Sequence, residues 1–375
     1  MLQAGCAGGY VQSRAISDDG VVAGYYVCGS SGAQVPILWN GADVSNVRLP
    51  PGQEGQAIDV NSRGQCVGWM YAVGASSVQV PFIASEGVTV VLPLLPGDLG
   101  GEANAINDAG VAVGFTSWSD VRSVRWIDGT VEALELPIGP HDVAMGINAV
   151  GQICGYMGSG DTFDAHAYLW DNGNVTDLGK LPGGLSGIAT CLNNVGDIAG
   201  YGVFVGENGV KYRRGLHWAG GAMTVIEPLP GYLNCKVQDI NDSGAMVGSC
   251  DKRSSLSESV GFIREDGVTR DLNELLVPGT NVVITLAYGI NASGQIAADG
   301  RHVGALDHFA VLLTPIPPIL GDLDCDWSVD AADLAILLGA WGACPARSGP
   351  CAADLDGDGS VGGSDLAILL GAWDS

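Results

Sequence analysis

The chain has 375 residues, 47% of them hydrophobic and only 15% charged, which supplies a large core divided among more than one domain and excludes a disordered chain. With 41 acidic against 16 basic residues the formal net charge is −25, which argues against nucleic acid, anionic membrane surfaces and polyphosphates as partners. Fifty-eight glycines and 17 prolines, with no long apolar run at helical period until the end, predict an all-β chain of short strands joined by turns.

The start, MLQAGCAGGYVQSR, has neither a basic nor an apolar region, so no signal peptide is expected in this sequence. No stretch reaches eighteen apolar residues, so no membrane insertion is expected. Ten cysteines run from Cys6 to Cys351 without a C-x-x-C pair. That number fits a secreted protein, and the expected location is extracellular or cell-surface.

Along the chain one pattern returns: apolar, Asn or Ser, two variable residues, Gly, then an apolar stretch ending in Gly. It appears as ISDDGVVAG, VNSRGQCVG, INDAGVAVG, INAVGQICG, LNNVGDIAG, INDSGAMVG and, with Ala last, INASGQIAA. The anchors Ser17, Asn61, Asn107, Asn148, Asn193, Asn241 and Asn291 are 41 to 50 residues apart, the period of a repeat architecture. Asn at the first place and Gly at the fourth predict a type I turn with a left-handed glycine, hence a hairpin tip. The apolar residues that follow predict a strand buried on both faces. A strand often ending in Trp and another ending near Leu-Pro complete each unit. Residues 1–314 are therefore expected to form a seven-unit β-propeller of four-stranded repeats, with an open solenoid or tandem sandwiches as the alternatives.

The seventh unit runs into prolines after HFAVLLTP, and residues Gly9–Gln12 are expected to supply its missing strand. In the sixth, a two-residue register around Asn241–Gly244 pairs Cys235 with Cys250 for a disulfide; a glycine bulge would place them on opposite faces instead. The units resemble the HAF family of probable extracellular repeats, whose core reads roughly IN--G--VVG before a strand ending in LW. The resemblance implies an extracellular location and no settled activity.

Leu313–Leu320, LTPIPPIL, is proline-rich, and residues 315–320 are expected to be a linker. Residues 321–375 hold ten Asp and one Arg. In DLDGDGSVGGSD, Asp354, Asp356, Asp358, Ser360 and Asp365 stand at places one, three, five, seven and twelve of a calcium loop. DLDCDWSVDAAD repeats this with Asp322, Asp324, Asp326, Ser328, Asp330 and Asp333. Two calcium ions are expected. Both loops lead into the same string, DLAILLGAW, read as an exit helix. Leu334, Leu337, Leu338 and Trp341, with Leu366, Leu369, Leu370 and Trp373, are expected to pack the helices together. Place six takes a sharp turn, which Gly359 suits and Trp327 does not.

A duplicated loop–helix with Asp at the twelfth place resembles a dockerin. The resemblance implies these metal ligands, a cohesin-like or other anchoring partner, and a link to polysaccharide breakdown. Ala331-Ala332 and Gly363-Ser364 depart from the usual hydroxyl pair, which leaves the type of partner open.

Five histidines show no metal spacing, and no nucleophile elbow, P-loop or dinucleotide motif is present. Glu54, Asp59, Glu102, Asp142 and Asp239 precede or enter inner strands, where a funnel of carboxylates would serve a glycosidase. Three readings follow. The favoured one is a secreted non-catalytic scaffold that binds a glycan or protein on the propeller face and is anchored by its tail. The others are a carbohydrate-active enzyme, hydrolase or lyase, on a propeller, and a surface structural protein.

Overall fold

The computed structural model describes residues 9–29, 32–72, 78–117, 120–159, 164–252, 258–305, 307–317, 319–324, 326–344 and 351–373. The leader expectation and the cysteines Cys6 and Cys325 lie outside them. The chain divides into two units, residues 1–275 with 281–314, and residues 315–375 with 276–280.

In the first unit each strand pairs with the next, giving four four-stranded sheets, one eight-stranded sheet and one three-stranded sheet. The eight-stranded sheet is two such groups joined by a single parallel bridge between Val121 and His141. The leading strands are Tyr10–Ile16, Gln53–Val60, Gly100–Ile106, His141–Ile147, Ser186–Leu192, Asn234–Ile240 and Val282–Ile290. Each touches the next, and the last touches the first, so the leading strands stand in a closed ring.

The repeat motif forms the turn after each leading strand. Asn61 Oδ1 accepts from the N–H groups of Arg63 and Gln65, both at 3.0 Å, while Gly64 sits at φ +70°, a conformation that costs a residue with a Cβ about 1–2 kcal/mol. The motif's closing glycine has a different role. A Cβ on Gly155 would lie 2.0 Å from the Val143 carbonyl oxygen, so only glycine lets the two strands approach. The last group has Ala298 at this place, and its ladder carries a second register shift, between Ile284 and Leu286.

The core lies between successive sheets. One cluster joins Ala105, Val113 and Leu134 to Ala144, Ile153 and Tyr168 of the next group, and another joins Val11, Ile37 and Trp39 of the first group to Ala297 and Ala310 of the last. Each fully buried large apolar side chain contributes about 1.5–3 kcal/mol. Trp126 and Trp218, near the ends of third strands, also donate their indole N–H to the carbonyls of Pro93 and Leu178 in the preceding group.

The closure expected from Gly9–Gln12 is not found. Residues 10–16 pair with Val22–Cys28 as the leading strand of the first sheet, and among the described residues the last sheet has three strands. The first and last groups meet instead through apolar packing and side-chain bonds. Ser13 donates from N and Oγ to Asp299 Oδ1, both at 2.9 Å.

In the second unit, helices α1 (Ala331–Gly339) and α2 (Gly363–Gly371) follow the two acidic loops. A short antiparallel pair links Gly342–Ala343 with Ser360–Val361. Val329, Leu337, Val361 and Leu369 are buried at its centre, with Ile319 packed against them, and Cys344 is bonded to Cys351.

Candidate functional site

The acidic loops fold through their own carboxylates. Asp354 accepts from the N–H groups of Gly357 and Gly359, each at 2.9 Å, and of Asp358 at 3.1 Å. Asp365 accepts from Leu355 and Gly362, each at 2.7 Å. The first loop repeats the scheme, with Asp322 accepting from Asp326 and Trp327, and Asp333 from Asp324 and Asp330. Carboxylate oxygens of Asp322, Asp324 and Asp333 lie within 4.8 Å of one another, as do those of Asp354, Asp356 and Asp365. Burial opposes the charge of Asp333, but its backbone donors hold the carboxyl below its usual range. Close carboxylates without a cation between them repel, and oxygen-only clusters of this kind fit a hard divalent cation such as calcium.

The remaining predicted ligands divide in role. Asp326 and Asp358 each accept from the N–H and hydroxyl of Ser328 or Ser360. Asp330 caps α1 by accepting from Ala332 N–H at 2.7 Å. Trp327 adopts φ +75° and Gly359 φ +92°, as the sharp turn requires.

In the first unit, the ring of leading strands encloses an axial channel. A cavity of about 310 Å³ within it is lined by Arg14, Ile58, Asn104, Met145, Thr190, Gln238 and Tyr288. Each of these residues lies three places before its turn anchor. Each is also the unpaired residue at a register shift in its ladder, and such a bulge re-aims a side chain off the sheet. Arg14 lies 5.3 Å from the Tyr25 ring centroid and 5.4 Å from that of Tyr288. It donates to Gln56 Oε1 at 3.1 Å, and its Nε is buried without a protein partner. Asn104 and Thr190 reach across to the carbonyls of Ala144 and Val237 in the following groups.

Asp59 and Asp239 line the same channel. Burial raises their carboxyls to about 6 and about 7. Each is tied on both oxygens: Asp59 accepts from Val60 and Ile106, Asp239 from Ile240 and Ile290, at 2.8 to 2.9 Å.

At the turn end of the channel the anchor asparagines form a girdle. Asn61 Nδ2 donates to the Asn107 carbonyl, Asn107 to Asn148, Asn148 to Asn193, Asn193 to Asn241, Asn241 to Asn291 and Asn291 to Ser17, all at 2.9 to 3.1 Å. Ser17 has no amide to continue the series, and its hydroxyl accepts from Val21 N–H instead. Where the residue after an anchor is Asp or Asn, it accepts the corresponding N–H of the preceding group, as Asp108 does from Ser62 and Asp18 from Ala292, each at 2.8 Å.

No family model matches the chain, and no curated protein matches it in sequence. Among solved structures it is similar to the β-propeller domain of the Trilobed protease from Pyrococcus furiosus, at 11% identity and TM-score 0.56, over 83% of this chain and 96% of that one. It is also similar to YCF48 bound to a D1 peptide, at 11% identity and TM-score 0.49, over 84% and 94%. The chain has a β-propeller-like fold.

The other carboxylates named from the sequence, Glu54, Glu102 and Asp142, are not in the lining of the axial cavity. Glu54 accepts from Gln34 N–H and the Tyr71 hydroxyl, Asp142 from Ser123 N–H at 2.5 Å, and Glu102 is half-buried opposite Phe115. His166 and His302 each meet a single carboxylate, Asp177 and Asp307. The helix-packing expectation in the tail is corrected in part. Leu337 and Leu369 are buried, but Leu338, Trp341, Leu370 and Trp373 are exposed, because a core this small covers only one side of a nine-residue helix. Among the described residues no helix is long and apolar enough to cross a membrane.

Proposed function

We propose that the chain is a seven-bladed propeller serving as a secreted binding or scaffold module, with a dockerin-like tail that takes up two calcium ions and anchors it to a cohesin-type or cell-surface partner. The single observation that carries the anchor is the duplication of geometry in the tail: two acidic triads with matching backbone donors, each followed by the same nine residues. Asp322, Asp324 and Asp333, and Asp354, Asp356 and Asp365, would hold the ions. Calcium would supply the positive charge that these carboxylates lack, and the metal-independent bonds within each loop position the oxygens beforehand. The exposed Leu338–Trp341 and Leu370–Trp373 would then form a duplicated apolar surface beside each loop.

For the propeller, a binding role is favoured over hydrolysis. The two carboxylates that line the channel, Asp59 and Asp239, each spend both oxygens on backbone N–H groups, whereas a catalytic pair needs oxygens free for proton transfer or attack. The channel offers instead a ring of dissimilar bulged side chains, suited to reading one small polar group of a glycan or protein. The seven-blade count rests on the seven leading strands and on the girdle that returns from Asn291 to Ser17. A scaffold of this kind would fit a role in polysaccharide breakdown without catalysing it.

The test uses the full-length protein stripped of metal. Calorimetric titration with calcium is expected to show two binding events, with one lost in Asp365→Ala and the other in Asp333→Ala. Calcium-dependent capture by a panel of immobilised cohesin domains, absent in both variants, would support the anchor. Absence of calcium binding would overturn the metal reading, and reducing-sugar release from a polysaccharide panel would overturn the non-catalytic one.

A further inference from the structure

We propose that Cys235 and Cys250 form a disulfide when the chain folds in the presence of a small-molecule disulfide oxidant, stapling the axial strand of the sixth group to its neighbour. The ladder places them directly opposite each other: Asn234 pairs with Asp251, Cys235 with Cys250 and Lys236 with Ser249. The glycine bulge considered from the sequence does occur at the turn: Gly244 takes φ +82°, and the rungs beside it pair Ile240 with Met246 and Asp239 with Val247, one place off the cysteine register. A second bulge, at Gln238, shifts the register back by one between Val237 and Asp239 and so sets Cys235 opposite Cys250. Directly opposed residues of an antiparallel pair point to the same face, with Cα atoms about 4.5–5.5 Å apart, inside the disulfide range of about 4.4–6.8 Å.

The surroundings separate this pair from the other described thiols. Cys28 faces Ala33, Cys66 faces Val60 and Ala84, Cys154 faces Gly146 and Leu169, and Cys191 faces Ala199. Cys235 and Cys250 face each other inside one apolar cluster with Ile226, Val237 and Phe262, and both are fully buried. The two thiols are hydrogen-bonded to one another, and Cys250 Sγ also accepts the Leu229 N–H at 3.5 Å. The bond from Cys235 lowers the Cys250 thiol, while the same bond and burial raise Cys235.

The step balances with glutathione disulfide. The thiolate of one of the two cysteines attacks one of its sulfurs and releases one glutathione. The sulfur of the other cysteine then attacks the mixed disulfide and releases the second. Two protein thiols are oxidised, one glutathione disulfide is reduced to two glutathiones, and the two thiol protons leave with them. Burial confines the exchange to folding or to a moment when the strands part. The bond would fix the ladder beside the bulge at Gln238, which lines the channel.

For the test, the full-length protein is unfolded, reduced, and refolded with calcium in a glutathione redox buffer. Free thiols are then alkylated in denaturant without reductant, and the peptides are mapped. The expected result is a Cys235–Cys250 linkage in most molecules, with Cys66, Cys154 and Cys191 alkylated. The Cys344–Cys351 bond is an internal control: its formation while Cys235 and Cys250 both carry the alkyl group overturns the proposal, as does a bond from either to Cys191. A melting comparison adds a second readout. Dithiothreitol is expected to lower the propeller melt of the wild type and of Cys344→Ser/Cys351→Ser by several degrees, and to leave that of Cys235→Ser/Cys250→Ser unchanged. A melt equally sensitive to reductant in the last variant also overturns it.

Discussion

Asn291 donates from its side-chain amide to the backbone carbonyl of Ser17 at 3.1 Å, joining the last turn of the array to the first. Every other anchor is an asparagine that does the same for its successor, so Ser17 leaves one link open. Ser17→Asn is expected to supply it, donating to the Asn61 carbonyl and stabilising the propeller by about 1 kcal/mol, the usual net worth of such a bond. Asn193→Ala breaks an existing link and leaves the Asp197 N–H short of its side-chain acceptor, at a cost of about 1–3 kcal/mol. Denaturant unfolding of both variants reads the difference. A neutral or destabilised Ser17→Asn protein would remove the girdle from the account.

The closing glycine of each motif gives a sharper contrast. Gly155→Ala drives a Cβ to 2.0 Å from the Val143 oxygen, and the sheet must open to admit it, costing about 3 kcal/mol or more. Ala298→Gly, where the ladder already accepts a Cβ, should cost at most about 1 kcal/mol. Thermal melts of the two proteins should therefore differ by many degrees, in that order.

In the tail, Trp327 holds φ +75° where its counterpart in the second loop is a glycine. Relieving that conformation with Trp327→Gly is worth on the order of 1–2 kcal/mol, so the first loop's calcium affinity should rise about tenfold. Calorimetric titration of the full chain checks it. An unchanged affinity would mean that the ion-free loop already carries the same strain, and would refute the prediction.

Asp239 gives the propeller a pH dependence. Its carboxyl is raised to about 7 in the fold, chiefly by burial, against an ordinary value near 4 in the unfolded chain. Between those values the folded state binds more protons than the unfolded state, so this group's contribution is full below about pH 4 and declines as pH rises through 7. Stability measured in excess calcium should accordingly fall from pH 5 to pH 8, and Asp239→Asn should flatten the slope whatever it does to the absolute value. A slope identical to that of the wild type would refute the assignment.

The turns were legible in the sequence because their chemistry is local: Asn61 bonds its own hairpin, and Gly64 takes a conformation that other residues resist. Acid spacing in the tail was legible for the same reason, since Asp354 and Asp365 act within one twelve-residue loop. The channel lining was harder to see. Arg14, Ile58, Asn104, Met145, Thr190, Gln238 and Tyr288 share no chemistry. Their common feature is a position three residues before each anchor, where a repeat that agrees nearly everywhere else stops agreeing. The closure was misread because Ser13, Asp299, Ser17 and Asn291 meet only through the ring, across some 270 to 290 residues of sequence, and no local pattern announces such a meeting. Helical spacing likewise marked Leu338 and Trp341 as apolar neighbours of Leu337, but could not say how little core there was to cover them.

The open link at Ser17 also decides where the ring breathes. The junction between the first and second groups is covalently continuous but lacks the asparagine clasp, whereas the junction between the last and first has no direct strand-to-strand connection and is clasped by Asn291, Ser13 and Ala292 together. Transient parting at the turn end should therefore begin beside Asn61, and amide exchange in that turn should outpace exchange at Asn148 or Asn193. For a solute small enough to use it, that junction is a side door to the axial cavity, unclasped at the turn end and held further along by the bonds of Arg14 to Gln56 and of Gln34 to Glu54.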